Sequence, residues 1–108
     1  MRAGFRRFPP TPRPMPDTSA VSHDPARNRF EIRTGAGTGL LTYQRHGDVI
    51  EMMHTEVPDA SEGRGYGAAL ASAALDFARR EGAKVVPSCP FVAAYIERHP
   101  DYADLVER

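Results

Sequence analysis

Residues 54–82 carry most of the chemistry that this sequence offers. An apolar strand leads through a short polar loop into three alternating glycines, Gly63, Gly65 and Gly67, where a long amphipathic helix begins. In such an arrangement, successive backbone N–H groups and the positive end of the helix dipole converge on one point. We therefore expect this loop to bind an anionic phosphate.

Two other phosphate-binding motifs fit the loop less well. A dinucleotide fingerprint is formally present in Gly63, Gly65 and Ala68, but such a site places its glycines directly after a strand and needs an acidic residue at the end of the next one. Here a polar loop intervenes, and the next strand ends in Pro-Ser-Cys at 87–89. A P-loop requires Lys and then Ser or Thr after its last glycine, where this chain has alanines. A glycine-rich turn that only lets a helix begin stays open as an interpretation.

The residues before the glycines predict an antiparallel strand meander. Apolar and polar residues alternate at the period of a half-buried strand in residues 28–33, 40–45 and 49–57. Turn residues separate these segments at 34–39 and at 46–48, where His-Gly-Asp closes a hairpin. The meander delivers the end of its last strand to the glycine loop.

After the glycines the pattern changes from strand to helix. Apolar residues recur at three- and four-residue spacing through residues 70–78, which predicts a helix that packs one face on a sheet. Arg79 and Arg80 suit the negative end of its dipole, and Gly82 is typical of the position that follows a helix.

A short strand and a second helix complete the predicted elements. Residues 84–87 predict a strand parallel to the one at 49–57, because crossover connections through a helix are right-handed and return the chain in the same direction. Both strands then point their carboxyl ends to one edge. Residues 91–99 predict a helix that Pro100 ends, and residues 102–106 predict a last helical turn.

The 108 residues suffice for one small domain after a leader. Pro and Arg dominate residues 1–24, which contain few aliphatic side chains, so we expect a disordered leader there and a folded domain at 25–108. Fourteen basic and fourteen acidic residues cancel, and the sequence pI is about 6.9. No global field therefore recruits nucleic acid or a membrane surface.

The remaining composition excludes several classes of protein. A single cysteine, Cys89, cannot form an intramolecular disulfide, and no apolar run approaches the ~20 residues that a membrane span needs. The N-terminal arginines are not followed by an apolar segment, so we expect no secretory signal and a cytoplasmic protein. No spacing of histidines and acids indicates a metal site.

The motif residues resemble a known family. EGRGYG at 62–67, after an antiparallel strand and before an amphipathic helix, is similar to the pyrophosphate loop of the Gcn5-related N-acetyltransferases. Residues 54–70 and 85–105 resemble the small YjdJ-type, N-acetyltransferase-domain-containing branch, and PSCPFVAAYIERHP is the more specific segment. Glu62 departs from the pattern, since the broader family has Gln or Arg there. The resemblance implies an α+β fold with a mixed sheet: an antiparallel meander, a βαβ unit and a C-terminal helix.

The same resemblance implies acetyl-CoA as cosubstrate. The backbone of residues 54–57 would pair with the pantetheine arm as another strand does, and the amides of residues 63–67 would hold the pyrophosphate. Bulkier side chains at the glycines would obstruct that approach or a positive φ. The expected cofactor-binding residues are Glu56, Val57, Gly63, Arg64, Gly65, Tyr66, Gly67 and Ser88.

Three residues are candidates for catalysis. By resemblance, Tyr95 would protonate the departing thiolate, and its alternative is a packing aromatic. Cys89 follows the parallel strand closely, so it is either a nucleophile that carries the acetyl group or a buried small hydrophobe. His54 would activate Cys89 or accept the amine proton.

These expectations define one leading function and two alternatives. The leading hypothesis is an acetyl-CoA-dependent N-acetyltransferase that acts by direct transfer on an exposed amine of a protein or small molecule. The alternatives are a CoA-binding module without turnover and a Cys-His thioester hydrolase that uses Cys89 and His54. Because an ordered region of about 80 residues is near the lower end of autonomous stability, we also expect that a homodimer can form.

Overall fold

The structure is a computed structural model that describes residues 18–61 and 64–107. Within these residues one mixed sheet has its strands in chain order: β1 (Val21–Asp24), β2 (Arg29–Thr34), β3 (Gly37–His46), β4 (Val49–Glu56) and β5 (Lys84–Pro87). Strands β1 to β4 run antiparallel to their neighbours, and β5 is parallel to β4. The helices are α1 (Tyr66–Arg80) and α2 (Pro90–Arg98), with 3₁₀ segments at Asp59–Ser61 and Pro100–Leu105.

One face of the sheet forms the core. The buried strand side chains all lie on it and alternate along each strand as the pleat requires: Phe30, Ile32, Leu41, Tyr43, Ile50, Met52 and Val85. Helix α1 covers this face with a row of small side chains, among them Ala71, Ala74 and Ala78, which allow a close approach to the strands. Strand residues on the opposite face are half-buried or exposed, so no described element covers it. We call this the open face.

The predicted α+β architecture is confirmed, with shorter turns. The meander, the return through α1 to a strand β5 parallel to β4, and the 3₁₀ segment near the C-terminus are all present. The expected turn at 34–39 is wrong in extent, because Thr34 pairs with Gly37 and Ile32 pairs with Gly39. Only Gly35 and Ala36 lie outside the strands, since the ladder with β2 satisfies the backbone of the following glycines.

The expected boundary of the leader is wrong for its last residues. Strand β1 lies within the range 1–24 and pairs with β2. His23 anchors it, since its ring stacks on Phe30 at 4.2 Å and its Nε2 lies 2.7 Å from the Tyr43 hydroxyl oxygen. These contacts join β1 to residues further along the chain, so the polar and apolar pattern within the four residues of β1 does not reveal them. Residues 1–17 of the expected leader lie outside the described residues.

The two glycines that flank α1 have positive φ, as a helix boundary often requires. Gly65 precedes the helix at φ +87, and Gly82 follows it at φ +68. The last turn carries Arg79, which binds the Asp104 carboxylate at 3.1 Å. This pair links the 3₁₀ segment to α1.

No helix in the described ranges is long and apolar enough to cross a membrane.

Candidate functional site

Strands β4 and β5 pair over only part of their length. Pairing runs from Val49 and Lys84 to Met52 and Pro87, and β4 then continues alone beside β3. Met53 is an extra residue at this point, because Met52 lies opposite Tyr43 and His54 lies opposite Thr42. A bulge of this kind bends the strand and redirects its backbone groups. We call the gap between residues 53–56 and residues 88–89 the fork.

The chain after β5 closes the base of the fork. The Cys89 amide donates to the Met52 carbonyl oxygen at 2.9 Å. The Cys89 sulfur lies 3.3 Å from the Thr55 Oγ and is buried. Thr55 pairs with Leu41, a core residue, so this contact is on the helix side of the sheet. Beyond it, the β5-facing backbone of residues 53–56 has no strand partner in the described chain.

His54 lies on the opposite side from Cys89. It pairs with Thr42 on the open face, and its Nε2 is 2.9 Å from a carboxylate oxygen of Glu56. Both of these side chains are exposed. The structure therefore gives Cys89 a threonine partner and His54 a glutamate partner, and it does not bring the expected Cys-His pair together.

A carboxylate that the sequence analysis missed sits at the fork. Ser88 donates from its hydroxyl to the Glu51 carboxylate at 2.5 Å, so the two side chains span β4 and β5 where the strands part. Glu51 lies between Ile50 and Met52, which face the core, and its own side chain is therefore on the open face. The signal was present in the sequence as one acid within the apolar run VIEMM, but only the pairing of β4 with β5 shows that it reaches Ser88.

The first turn of α1 offers unpaired amides. The N–H groups of Tyr66, Gly67 and Ala68 donate no hydrogen bond to any described residue, and the first amide to do so is that of Ala69, to the Gly65 carbonyl oxygen at 3.0 Å. Free amides are expected there because a first helical turn lacks partners within the helix. With the positive end of the dipole, they form a site for an anion. No acidic side chain lies in that turn to compete for it.

The other residues expected to bind the cofactor differ in their exposure and contacts. Gly63 lies outside the described residues. Arg64 is exposed and forms no ion pair within the described chain, so its guanidinium is accessible to an anion. The side chains of Tyr66 and Val57 are half-buried against the core, so these two residues would contact a cofactor through their backbone groups.

Gly67 has a close neighbour that the sequence did not reveal. Its φ is not positive, and a Cβ at this position would lie 2.8 Å from the Cζ atom of Phe91. Phe91 is in the first turn of α2, so the glycine makes room for an aromatic ring from the neighbouring helix. Gly65 is the glycine whose backbone conformation, at φ +87, is strained for other residues.

Tyr95 lies in the interior, with 1% of its surface exposed. Its ring stacks on His99 at 4.1 Å, and its hydroxyl has no hydrogen-bond partner among the described residues. Burial raises the pKa of Tyr95, and the nearby Ser72 hydroxyl opposes that shift without reaching hydrogen-bond geometry. The hydroxyl is thus neutral and retains its proton, but the structure gives it no contact with Cys89 or His54.

The comparisons with known proteins identify the family. A family model for the GCN5-related N-acetyl-transferases matches residues 29–105, which is most of the chain. The chain belongs to the GCN5-related N-acetyltransferase family. Membership supports acetyl transfer as the class of activity, and members of the family generally use acetyl-CoA.

Similar proteins from animals and bacteria agree with this family. Protein NATD1 of Mus musculus is 37% identical over 83 residues, which cover 74% of this chain and 76% of the relative. Protein NATD1 of Danio rerio is 33% identical over 91 residues, with coverage of 80% and 83%. The solution structure of a GCN5-like protein from Staphylococcus aureus superposes with a TM-score of 0.63 at 25% identity, over 84% of this chain and 90% of that one. The fold of this GCN5-related protein is therefore the one that its family adopts.

Proposed function

We propose that this protein is an acetyl-CoA-dependent N-acetyltransferase that modifies an exposed primary amine. The observation that carries the proposal is the combination of two sets of unused backbone groups in one region: the amides of Tyr66, Gly67 and Ala68, and the β5-facing edge of residues 53–56. The first suits the diphosphate of CoA, and the second suits the amides of its pantetheine arm. The cofactor supplies the activated acetyl thioester.

The amine acceptor approaches from the open face in this proposal. Glu51 is half-buried there at the point where β4 and β5 separate, and the Ser88 hydroxyl holds its carboxylate. A carboxylate in this position binds an ammonium group and accepts its proton. Glu51 releases this proton to solvent before the neutral amine attacks. Transfer then forms the C–N bond and breaks the thioester C–S bond, and the second proton that the nitrogen loses passes to Glu51.

The departing thiolate takes up a proton from the helix side. Tyr95 remains the proposed donor, since burial keeps its hydroxyl protonated. Direct transfer is favoured over a covalent route through Cys89, because the Cys89 sulfur is buried and its hydrogen-bond contact among the described residues is the Thr55 hydroxyl, which is not a base. The thioester hydrolase is disfavoured because His54 contacts Glu56 on the open face, whereas Cys89 contacts Thr55 on the helix side of the sheet.

One observation favours a second candidate, a CoA-binding module without turnover. The Tyr95 hydroxyl is enclosed among interior residues and has no hydrogen-bond partner in the part of the chain that the structure describes, whereas a catalytic acid has to reach the reacting sulfur. If the hydroxyl stays enclosed when the cofactor binds, the domain would hold acetyl-CoA and transfer slowly or not at all.

The test separates cofactor binding from chemistry. We expect Glu51→Gln to lower kcat/KM on a panel of primary amines by about 10²–10⁴-fold while the acetyl-CoA Kd stays within about twofold, since the side chain acts on the acceptor. Glu97→Gln, an exposed glutamate of α2, is the matched control and should change neither value. Equal activity of Glu51→Gln and wild type would contradict the assigned role, and tight binding without turnover on every amine would favour the module.

A further inference from the structure

Two large apolar side chains stay exposed within the described residues, one at the fork and one in the helix turn that follows it. Met53, 39% exposed, is the bulge residue of β4, and Phe91, 37% exposed, is in the first turn of α2. The Phe91 ring lies close to the unpaired amides of α1, and an apolar ligand group that covered its exposed surface would gain the free energy of that burial.

Phe91 connects the two parts of the proposed cofactor site. Two residues before it, Cys89 is hydrogen-bonded to Met52 at the base of the fork. Its own ring reaches the first turn of α1, where the Cζ, Cε2 and Cε1 atoms come within 2.8, 3.2 and 3.3 Å of the position that a Cβ of Gly67 would occupy. The ring therefore lies between the fork, where the thioester is placed, and the amides, where the diphosphate is placed.

We propose that Phe91 forms the wall against which the pantetheine arm packs, and that Gly67 is a glycine so that the ring can take this position. The inference rests on the proposed function. The arm joins the diphosphate to the thioester, so it has to pass the residue that spans that distance. It is a largely aliphatic chain with two amides, and its methyl and methylene groups would cover the exposed surface of the ring while its amides pair with residues 53–56.

The experiment uses two ligands that share the diphosphate. Acetyl-CoA carries the arm, and 3′-phospho-ADP lacks it. Calorimetric titration of Phe91→Ala should give an acetyl-CoA Kd raised by about tenfold, the size expected for loss of one packed aromatic contact, with a 3′-phospho-ADP Kd within about twofold of wild type. Phe91→Leu should lie between, because it restores part of the apolar surface. Val49→Ala, a half-buried residue at the far end of β4, is the control and should alter neither Kd.

A double-mutant cycle tests the reason for Gly67. In the wild-type background Gly67→Ala should weaken acetyl-CoA binding, because the new methyl group displaces the ring. In the Phe91→Ala background the same change should have little further effect, because the ring is gone. A loss that is equal in both backgrounds would mean that Gly67 serves the phosphate instead.

The results that overturn the inference differ from those that overturn the function. If Phe91→Ala and Phe91→Leu bind acetyl-CoA as wild type does, or lose both ligands equally, Phe91 is not the wall of the arm while the N-acetyltransferase proposal stands. If the wild-type protein binds neither ligand, the proposed function fails and this inference fails with it.

Discussion

Gly65 and Gly67 are two residues apart in one loop, but a side chain added at each would meet a different physical obstacle. A Cβ added at Gly65 would meet no described residue other than its chain neighbours within 4 Å, and the constraint is its φ of +87. At Gly67 the φ angle is not in the left-handed region, but an added Cβ would lie too close to the Phe91 ring. Only the second constraint depends on another element of the fold.

The first prediction at the residue scale concerns Gly65. Gly65→Ala should lower the free energy of unfolding by about 1–2 kcal/mol, because a residue with a Cβ is strained in the left-handed region. Gly65→Asn should cost less, since asparagine tolerates that region better. Urea denaturation measures both, with Gly35→Ala as a control at a position with open space and no positive φ. Equal stability of Gly65→Ala and wild type would show that the loop changes conformation at little cost.

The second prediction concerns Cys89. Direct transfer predicts that Cys89→Ala keeps most of the wild-type kcat, with a stability loss of ~1 kcal/mol from the small buried side chain and its contact with Thr55. Intact mass after incubation with acetyl-CoA should show no acetyl group on the protein. An acetylated Cys89 that passes its acetyl group to an added amine would establish the covalent route instead.

At the scale of elements, strand β1 depends on the ionisation of His23. Burial lowers the pKa of His23 below its ordinary 6.5, with a smaller contribution in the same direction from Arg80 on α1. The charged and titratable groups around the ring come from β1, β3, α1 and the residue that follows α1: Asp24, Tyr43, Asp76, Arg80 and Glu81. The acids Asp24 and Glu81 oppose the shift without reversing it.

The sign of the pH dependence follows from that lowered pKa. The unfolded chain takes up the His23 proton at a higher pH than the folded chain does, so stability is full above about pH 6.5 and falls as the pH drops toward the folded pKa. We expect the urea midpoint of wild type to fall between pH 7.5 and pH 5.5 by more than that of His23→Gln. His46→Gln, at the exposed end of β3, should behave as wild type. If His23→Gln and wild type show the same pH slope, His23 does not anchor β1 in this way.

The sequence predicted those parts of the fold that depend on local pattern. The spacing of apolar residues defines α1, and the alternation in residues 29–33 and 40–45 defines β2 and most of β3. The pattern could not reveal β1, because its stability comes from the contacts of His23 with Phe30 and Tyr43. Local pattern says nothing about partners that are far apart in the chain.

The same limit applies to the site. The glycine loop could be predicted from sequence because glycines before an amphipathic segment indicate a helix start with free amides. The pairing of Glu51 with Ser88 could not, because it depends on the register between β4 and β5. The bulge at Met53 depends likewise on pairing with β3, and it sets which of His54 and Thr55 faces the helices. The expected contact of His54 with Cys89 fails for that reason.

At the scale of the whole molecule, the two faces of the sheet have separate tasks in the proposed function. The helix side holds the core, the first turns of α1 and α2, and the buried Cys89 and Tyr95. The open face carries Glu51 and is uncovered by any described element, which leaves an amine on a large substrate free to approach. The homodimer remains a prediction, and one that formed through the open face would close this approach.

The central claim is that acetyl-CoA lies along the fork with its diphosphate at the start of α1. The most direct measurement is a titration of the isotope-labelled protein with acetyl-CoA, followed by amide chemical shifts, with NAD and ATP as comparison ligands. We expect the largest changes at Tyr66, Gly67 and Ala68 and at residues 53–56, and we expect only acetyl-CoA to shift the amides of residues 53–56. Changes that avoid both groups, or a response to NAD or ATP alone, would contradict it.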